Sequence, residues 1–231
     1  MRLYLIRHAE SENNVLTQET VHRRKVDPAL TPLGYQQRDL LARHIGAETD
    51  AAGEGYGITH LYTSAMHRSL LTTKPLSDAL GIAPKVWPDL HEKGGMYLER
   101  DGCTRGYTGM TRAEIHASFP GYQLPAEVDE CGWYDPKLGL EPEEHSLQRA
   151  IRVAWTLRSR TATDDVIALV SHAGFLNILL AAIFEHLPSH QYSKIYYHDN
   201  TAITRINFHQ RWTTLHYLNR VDHLPSGMRS F

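Results

Sequence analysis

The sequence predicts an α/β fold with a mostly parallel sheet flanked by helices on both faces, and three observations predict it. Residues 1–6 (MRLYLI) and 166–170 (VIALV) are short continuous apolar runs, which fit strands covered on both faces rather than on one. Helical stretches stand between the strand-like ones, the alternation that builds parallel sheets. A chain of 231 residues suits one large domain, or a domain with a sizeable insertion, and is short for two. We read it as one domain, 1–231, with an insertion at about 93–141.

Each element has its own warrant. After the first strand and a polar loop, Thr31 and Pro32 supply an N-cap and a proline at the first helical position. Leu33, Leu40, Leu41 and Ile45 then fall on one helical face. Residues 60–62 begin a second strand, a helix over 66–80 ends at Gly81, and 85–87 form a strand closed by Pro88. From 93 to 141 the pattern loosens: six of the 16 glycines lie between 94 and 121, so regular structure there reduces to one short helix, 111–118. Tyr97, Tyr107, Phe119, Trp133 and Tyr134 give this stretch apolar bulk, as expected of an insertion packed over the sheet and not of a linker. A helix over 143–158, the VIALV strand, and an apolar helix over 174–187 ended by Pro188 follow. Residues 201–208 and 212–218 form a closing antiparallel pair across His209, Gln210 and Arg211.

Composition excludes several classes. A net charge of −2 argues against a strongly basic nucleic-acid binder, and 42% hydrophobic residues argue against a disordered chain. No stretch approaches a membrane span, and Arg7 and Glu10 interrupt any early apolar leader, so the expected location is the cytoplasm with reduced thiols. Cys103 and Cys131 form no C-x-x-C pair. The 15 histidines, three for each phenylalanine, first suggest a metal protein. Yet no H-E-x-x-H or H-x-H occurs, and Pro188 interrupts the helical spacing of His186 and His190. No metal and no cofactor are expected.

In open α/β sheets ligands bind beyond the carboxyl ends of the strands. That rule gathers Arg7 and His8 after the first strand, His67 and Arg68 after the second, His91 and Glu92 after the third, and Ser171, His172 and Ala173 after VIALV. Two arginines can hold the non-bridging oxygens of a phosphoryl group. An imidazole can attack phosphorus, a second can stabilise the equatorial oxygens, and a carboxylic acid can protonate the leaving oxygen. Fixed cations of this kind do the neutralising that a metal would otherwise do.

Arg7-His8-Ala9-Glu10-Ser11-x-x-Asn14, Ser64-x-x-x-Arg68, Glu92 and Ser171-His172-Ala173-Gly174 together resemble the histidine phosphatase superfamily, the phosphoglycerate mutase-like proteins. The motifs run in the family's order and the resemblance spans essentially the whole chain. It implies a phosphoglycerate mutase-like sheet with a cap insertion, His8 as phosphorylated nucleophile and Glu92 as proton donor, with Asp89 and Glu99 as rival acids. It also implies a phosphate pocket of Arg7, Asn14, Arg68 and His172, completed by the backbone N–H of Ala173. Ala9 replaces the family's usual glycine, Leu71 replaces a common glutamine, and Gly94-Gly95-Met96 departs from the mutase pattern.

The expected activity is therefore a metal-independent phosphatase acting on a small phosphorylated metabolite through a phosphohistidine. A mutase returning phosphate to a second hydroxyl is the nearer alternative, and a non-catalytic module that binds a phosphorylated ligand the more distant one. Ser11 either caps a turn or touches phosphate. The basic run His22-Arg23-Arg24-Lys25 is either a solvated face or a steering patch for an anion. Gly53-Glu54-Gly55-Tyr56-Gly57 precedes a strand and reads as a plain turn. Arg100, Arg105 and Arg112 are offered as cap cations for substrate recognition. No nucleic-acid or membrane partner is expected, and assembly into a homo-oligomer stays open.

Overall fold

A computed structural model describes residues 1–47, 55–185 and 195–231 of the chain. In order these form β1 (Arg2–Arg7), α1 (Pro32–Gly46), β2 (His60–Thr63), α2 (His67–Leu80), β3 (Lys85–Val86), β4 (Tyr97–Arg100) and β5 (Cys103–Gly106). Then come α3 (Arg112–Ser118), α4 (Glu143–Arg158), β6 (Val166–Ser171), α5 (Ala173–Ile183), β7 (Ile203–Phe208) and β8 (Thr213–Arg220). Six strands make one sheet in the order β3-β2-β6-β1-β7-β8. The first four are mutually parallel, and β7 and β8 close the far side antiparallel.

The apolar runs lie at the centre because both their faces are covered. Leu3 and Leu5 of β1, with Ile167 and Leu169 of β6, pack against Val153 and Leu157 of α4 and Leu176 and Leu179 of α5. Tyr4 and Ile6, with Ala168 and Val170, face Leu41 and Ile45 of α1 and Leu76 of α2. Alternate side chains thus enter separate cores, each fully buried one stabilising the fold by roughly 1.5–3 kcal/mol. The β1–β6 register sets Ile6 against Val170 and Arg7 against Ser171. The residues that follow, His8 and His172, therefore emerge side by side at the same sheet edge.

Thr31 caps α1 through Gly34 N–H, as its sequence indicates. The buried face, however, is Gly34, Gln37, Leu41, Ala42 and Ile45, while Leu33 and Leu40 are only half-buried. Gln37 is buried because it accepts the Glu10 amide at 2.8 Å and donates to Met228 O and Ser230 Oγ. α2 contains Pro75, which cannot pair with Leu71 O four residues earlier. Arg38 Nη1 from α1 donates to that carbonyl at 2.9 Å, so the break is satisfied across the helix pair.

Residues 93–141 carry more structure than the single helix expected. α3 is present, held by a Thr111/Glu114 capping box, but β4 and β5 form an unforeseen hairpin. Its turn, Asp101-Gly102, has both residues at positive φ, 51° and 74°, as a two-residue hairpin turn demands. Phe119, Trp133 and Tyr134 are buried in a satellite core with Met66, which precedes α2, and Leu70 of α2, whereas Tyr97 and Tyr107 are half-buried. α4 keeps its expected limits. α5 ends at Ile183, before the 187 expected; Leu187, Pro188, His186 and His190 lie outside the described residues, as do Gly53 and Glu54 of the glycine-rich turn. β7 starts at 203 and not 201 because Thr201 is left-handed, at φ 60°. Among the described residues no helix is long and apolar enough to cross a membrane.

A Cβ at Gly34 would lie 2.0 Å from Glu10 O, a backbone atom that cannot swing away. Gly34→Ala should therefore cost about 1–3 kcal/mol by forcing α1 off the loop that follows β1. Urea unfolding measures this, and a variant as stable as the parent would contradict the packing described.

Candidate active site

The loop after β1, the start of α2 and the strap after β3 converge on a pocket of about 160 Å³. Arg7, His8, Asn14, Arg68 and Glu92 line it, together with Ser11, Asn13, Arg24, Lys93, Gly95 and Tyr97. His172 is fully buried behind His8, ring centroids 5.0 Å apart, and Ala173 follows it as the first residue of α5. A larger cleft of about 450 Å³ lies beside Arg158, Arg211 and Trp212, but its histidine, His209, is exposed on a turn.

Hydrogen bonds fix the His8 ring. Nδ1 lies 2.7 Å from Ala9 O, a partner that can only accept, so the ring proton is on Nδ1. Nε2 is left with its lone pair, which accepts from Arg68 Nε at 3.2 Å. The backbone is held as tightly: His8 N donates to Ser171 O, Asn200 Nδ2 donates to His8 O, and Ala9 N donates to Thr72 Oγ1. Burial, then the charges of Arg68 and Arg7, hold His8 well below the ordinary imidazole range, so the ring is neutral. Burial and Arg68 do the same to His172. Its Nε2 meets the hydroxyls of Ser64 at 2.8 Å and Ser69 at 3.3 Å, which suits a proton on Nδ1.

The cations are anchored but not consumed. Arg7 donates from Nη1 to His198 O at 2.6 Å, with its guanidinium 4.6 Å from the Phe231 ring centroid. Burial brings it down to about 10, still a cation at neutral pH. Arg68 lies 3.9 Å from Asp27, whose carboxylate also accepts the His67 amide. Burial lifts Asp27 to about 6. Two buried nitrogens at the site, Arg7 Nε and His172 Nδ1, have no hydrogen-bond partner among the described residues. Leaving each so costs about 1–3 kcal/mol, which an anion's oxygens would recover.

Asn14 Oδ1 accepts from both the amide and the hydroxyl of Ser11, so Ser11 closes the loop and Asn14 keeps its NH2 group to offer. Glu92 sits at the start of α5: it accepts from Phe175 N at 2.8 Å, Lys93 N at 2.8 Å and Gly174 N at 3.3 Å. Gly174 permits this approach, since a Cβ there would lie 2.6 Å from Glu92 Oε1. Among the described residues no group of three or more His, Cys, Asp or Glu side chains is placed to hold a metal ion. The arrangement can bind a tetrahedral anion against neutral imidazole, between two guanidinium groups, with a carboxyl group on the same pocket wall.

Arg100, Arg105 and Arg112, offered as possible substrate contacts, do not line this pocket. Arg112 is spent on Val128 O and Pro125 O inside the cap, and Arg105 stands over Tyr107 on the exposed hairpin with Arg100. Arg24, from the basic run after the first motif, and Lys93 line the pocket instead. Nothing in the sequence marks Arg24 above its neighbours Arg23 and Lys25, nor Asp27 as the partner of Arg68.

The sequence pattern of the histidine phosphatase superfamily (branch 1) matches residues 3–221. The chain belongs to this superfamily. Among relatives of this histidine phosphatase, a Hydrogenobacter thermophilus protein named as phosphoserine phosphatase 2 is 26% identical, over 96% of this chain and 97% of its own. A Yersinia enterocolitica protein named as a phosphoglycerate mutase is 25% identical, over 91% and 86%. The fold is shared with Entamoeba histolytica phosphoserine phosphatase bound to phosphoserine (TM-score 0.59, 22% identity, 97% and 99% covered). It is shared as well with a mycobacterial glucosyl-3-phosphoglycerate phosphatase in complex with VO3 (TM-score 0.60, 21% identity, 95% and 99% covered). Phosphatase names among these relatives support phosphomonoester hydrolysis.

The buried neutral imidazoles make stability pH-dependent. His198 and His223 are lowered, mainly by burial, to about 4, and His8 and His172 lie well below 6.5, so between those values and 6.5 the unfolded chain binds more protons. Stability is full above pH 6.5 and falls as pH drops from there towards 4; Asp27, raised to about 6, offsets only part of this. Urea midpoints at pH 7.5 and 5.0 should differ in that direction, and equal midpoints would show that these rings are not buried neutral.

Proposed function

We propose that the chain is a metal-independent phosphatase that hydrolyses a small phosphomonoester through a phosphohistidine on His8. The observation that carries this reading is the fixed His8 ring, with Nδ1 committed to Ala9 O and the Nε2 lone pair at a pocket walled by two arginines. Arg7, Arg68 and Asn14 hold the phosphoryl oxygens, with the His172 Nδ1 proton and the Ala173 amide as further donors. An incoming oxygen takes the Arg68 Nε–H and frees His8 Nε2. Nε2 then bonds to phosphorus as the bond to the leaving oxygen breaks, and Glu92 as carboxylic acid passes its proton to that oxygen. For this an oxygen of Glu92 turns from the α5 amides towards the leaving group. As carboxylate, Glu92 next takes a proton from water, whose oxygen displaces His8 and releases inorganic phosphate.

The pocket's size and charge narrow the substrate. At about 160 Å³ it suits a small phosphomonoester. Arg24, 5.9 Å from the Tyr97 ring centroid, adds positive charge beyond the two guanidinium groups at His8, which favours a leaving group that is itself anionic. Similarity to proteins named for phosphoserine and glucosyl-3-phosphoglycerate supports the same class. The mutase reading shares every step up to the phosphoenzyme and differs only in the acceptor, and the mutase-named relative keeps it as the second reading.

Incubation with 4-nitrophenyl phosphate in the presence of EDTA should give full turnover and an acid-labile, base-stable phosphoenzyme. His8→Ala should lower turnover by at least about 10³-fold and abolish the phosphoenzyme. Loss of activity with EDTA, or near-parent rates in His8→Ala, would refute this mechanism.

A further inference from the structure

Glu92 lies on a short strap, and the strap is gripped by a buried ion pair that the chemistry above does not use. Arg149 of α4 donates from Nε and Nη2 to the two oxygens of Glu141, at 2.6 and 2.7 Å. Its Nη1 donates to two strap carbonyls, Asp89 O at 2.5 Å and His91 O at 3.1 Å, which flank Leu90, and His91 is the residue immediately before Glu92. The guanidinium also stands 4.6 Å from the ring centroid of Phe175, whose own amide holds Glu92 Oε1. Glu141 in turn donates its backbone N–H to Gly94 O at 2.8 Å, two residues past Glu92. Both members are buried, at 4% and 6% exposure.

This placement is costly and specific. A buried ion pair contributes little net stability compared with apolar residues of the same volume. What an arginine supplies here, and an apolar residue cannot, is a planar fork that fixes two carbonyls and a carboxylate together. Gly94 and Glu141 are also the two ends of the cap insertion, so the pair closes its neck at the point where Glu92 enters the pocket. Burial pushes Glu141 up, but the Arg149 hydrogen bonds, helped by His91 at 3.5 Å, outweigh it and hold Glu141 at about 2. The pair therefore persists through any working pH.

We infer that Arg149 and Glu141 are positioning residues that set the Glu92 carboxyl group against the leaving oxygen and tie its position to the cap. The inference rests on Glu92 serving as proton donor. A clamp of this kind matters in proportion to how much the leaving group needs a proton, and that gives a readout a purely structural pair would not move.

The test measures phosphoenzyme formation by rapid quench with phenyl phosphate, whose leaving phenolate is strongly basic, and with 4-nitrophenyl phosphate, whose leaving group needs little assistance. Arg149→Met alone strands the Glu141 charge and risks unfolding, so the Glu141→Met/Arg149→Met pair, which removes both charges at similar volume, is measured beside it. Displacing a donor by about 1 Å lowers its contribution by up to about 10²-fold. The double variant should melt near the parent, lose about tenfold or more on phenyl phosphate, and stay within about threefold on 4-nitrophenyl phosphate. Equal losses on both substrates, no loss on either, or a double variant that does not fold would overturn the clamp. Absence of a phosphoenzyme in the parent with both substrates would instead refute the phosphohistidine reading itself.

Discussion

Two guanidinium groups and two imidazoles are buried at one sheet edge, and the rest of the site is arranged around the electrostatics this creates. Each ring sits in the field of Arg68 and Arg7 and out of water, so protonation is disfavoured twice over. A neutral imidazole is a nucleophile and an imidazolium is not. The same cations that attract a phosphoryl group therefore keep His8 in the form that can attack it. The carboxylates at the edge, Asp27 beside Arg68 and Glu92 on the α5 amides, temper this positive charge without filling the cradle.

The fold supplies this arrangement through one register. Pairing Arg7 with Ser171 across parallel strands sets the first residue beyond each strand, His8 and His172, ring against ring. Helix starts then bring in the remaining parts: α2 delivers Arg68 in its first turn, and α5 presents amides to Glu92. Glycines permit two close approaches near the site, Gly34 against Glu10 and Gly174 against Glu92. Residues 94 and 141 are joined by a backbone hydrogen bond two residues past Glu92, so the stretch between them begins and ends beside the pocket.

Much of this was legible in the sequence because its causes are local. Continuous apolar runs announce doubly covered strands, and polar residues at the ends of those strands announce the pocket, so Arg7, His8, Arg68, Glu92 and His172 could be named together. What escaped depends on distant partners. Gln37 looks like a surface residue of α1 and is buried only because Glu10, Met228 and Ser230 meet it. Arg24 lies in a basic run and Arg112 between Thr111 and Ala113, and neither setting tells that the first reaches the pocket while the second is tied to the carbonyls of Pro125 and Val128. The β4–β5 hairpin did carry a local sign, Asp101-Gly102, but four-residue strands without apolar alternation give that turn little to be read against.

The central claim is that the Ala9 carbonyl commits the Nδ1 proton of His8 and thereby selects Nε2 as the atom that meets phosphorus. The most direct measurement is the site of phosphorylation in the trapped phosphoenzyme, read from the phosphorus-31 shift and the nitrogen-15 coupling of selectively labelled histidine. The account predicts phosphorus on Nε2 of His8 with Nδ1 still protonated. Phosphorus on Nδ1, or on His172 or any other side chain, would contradict it.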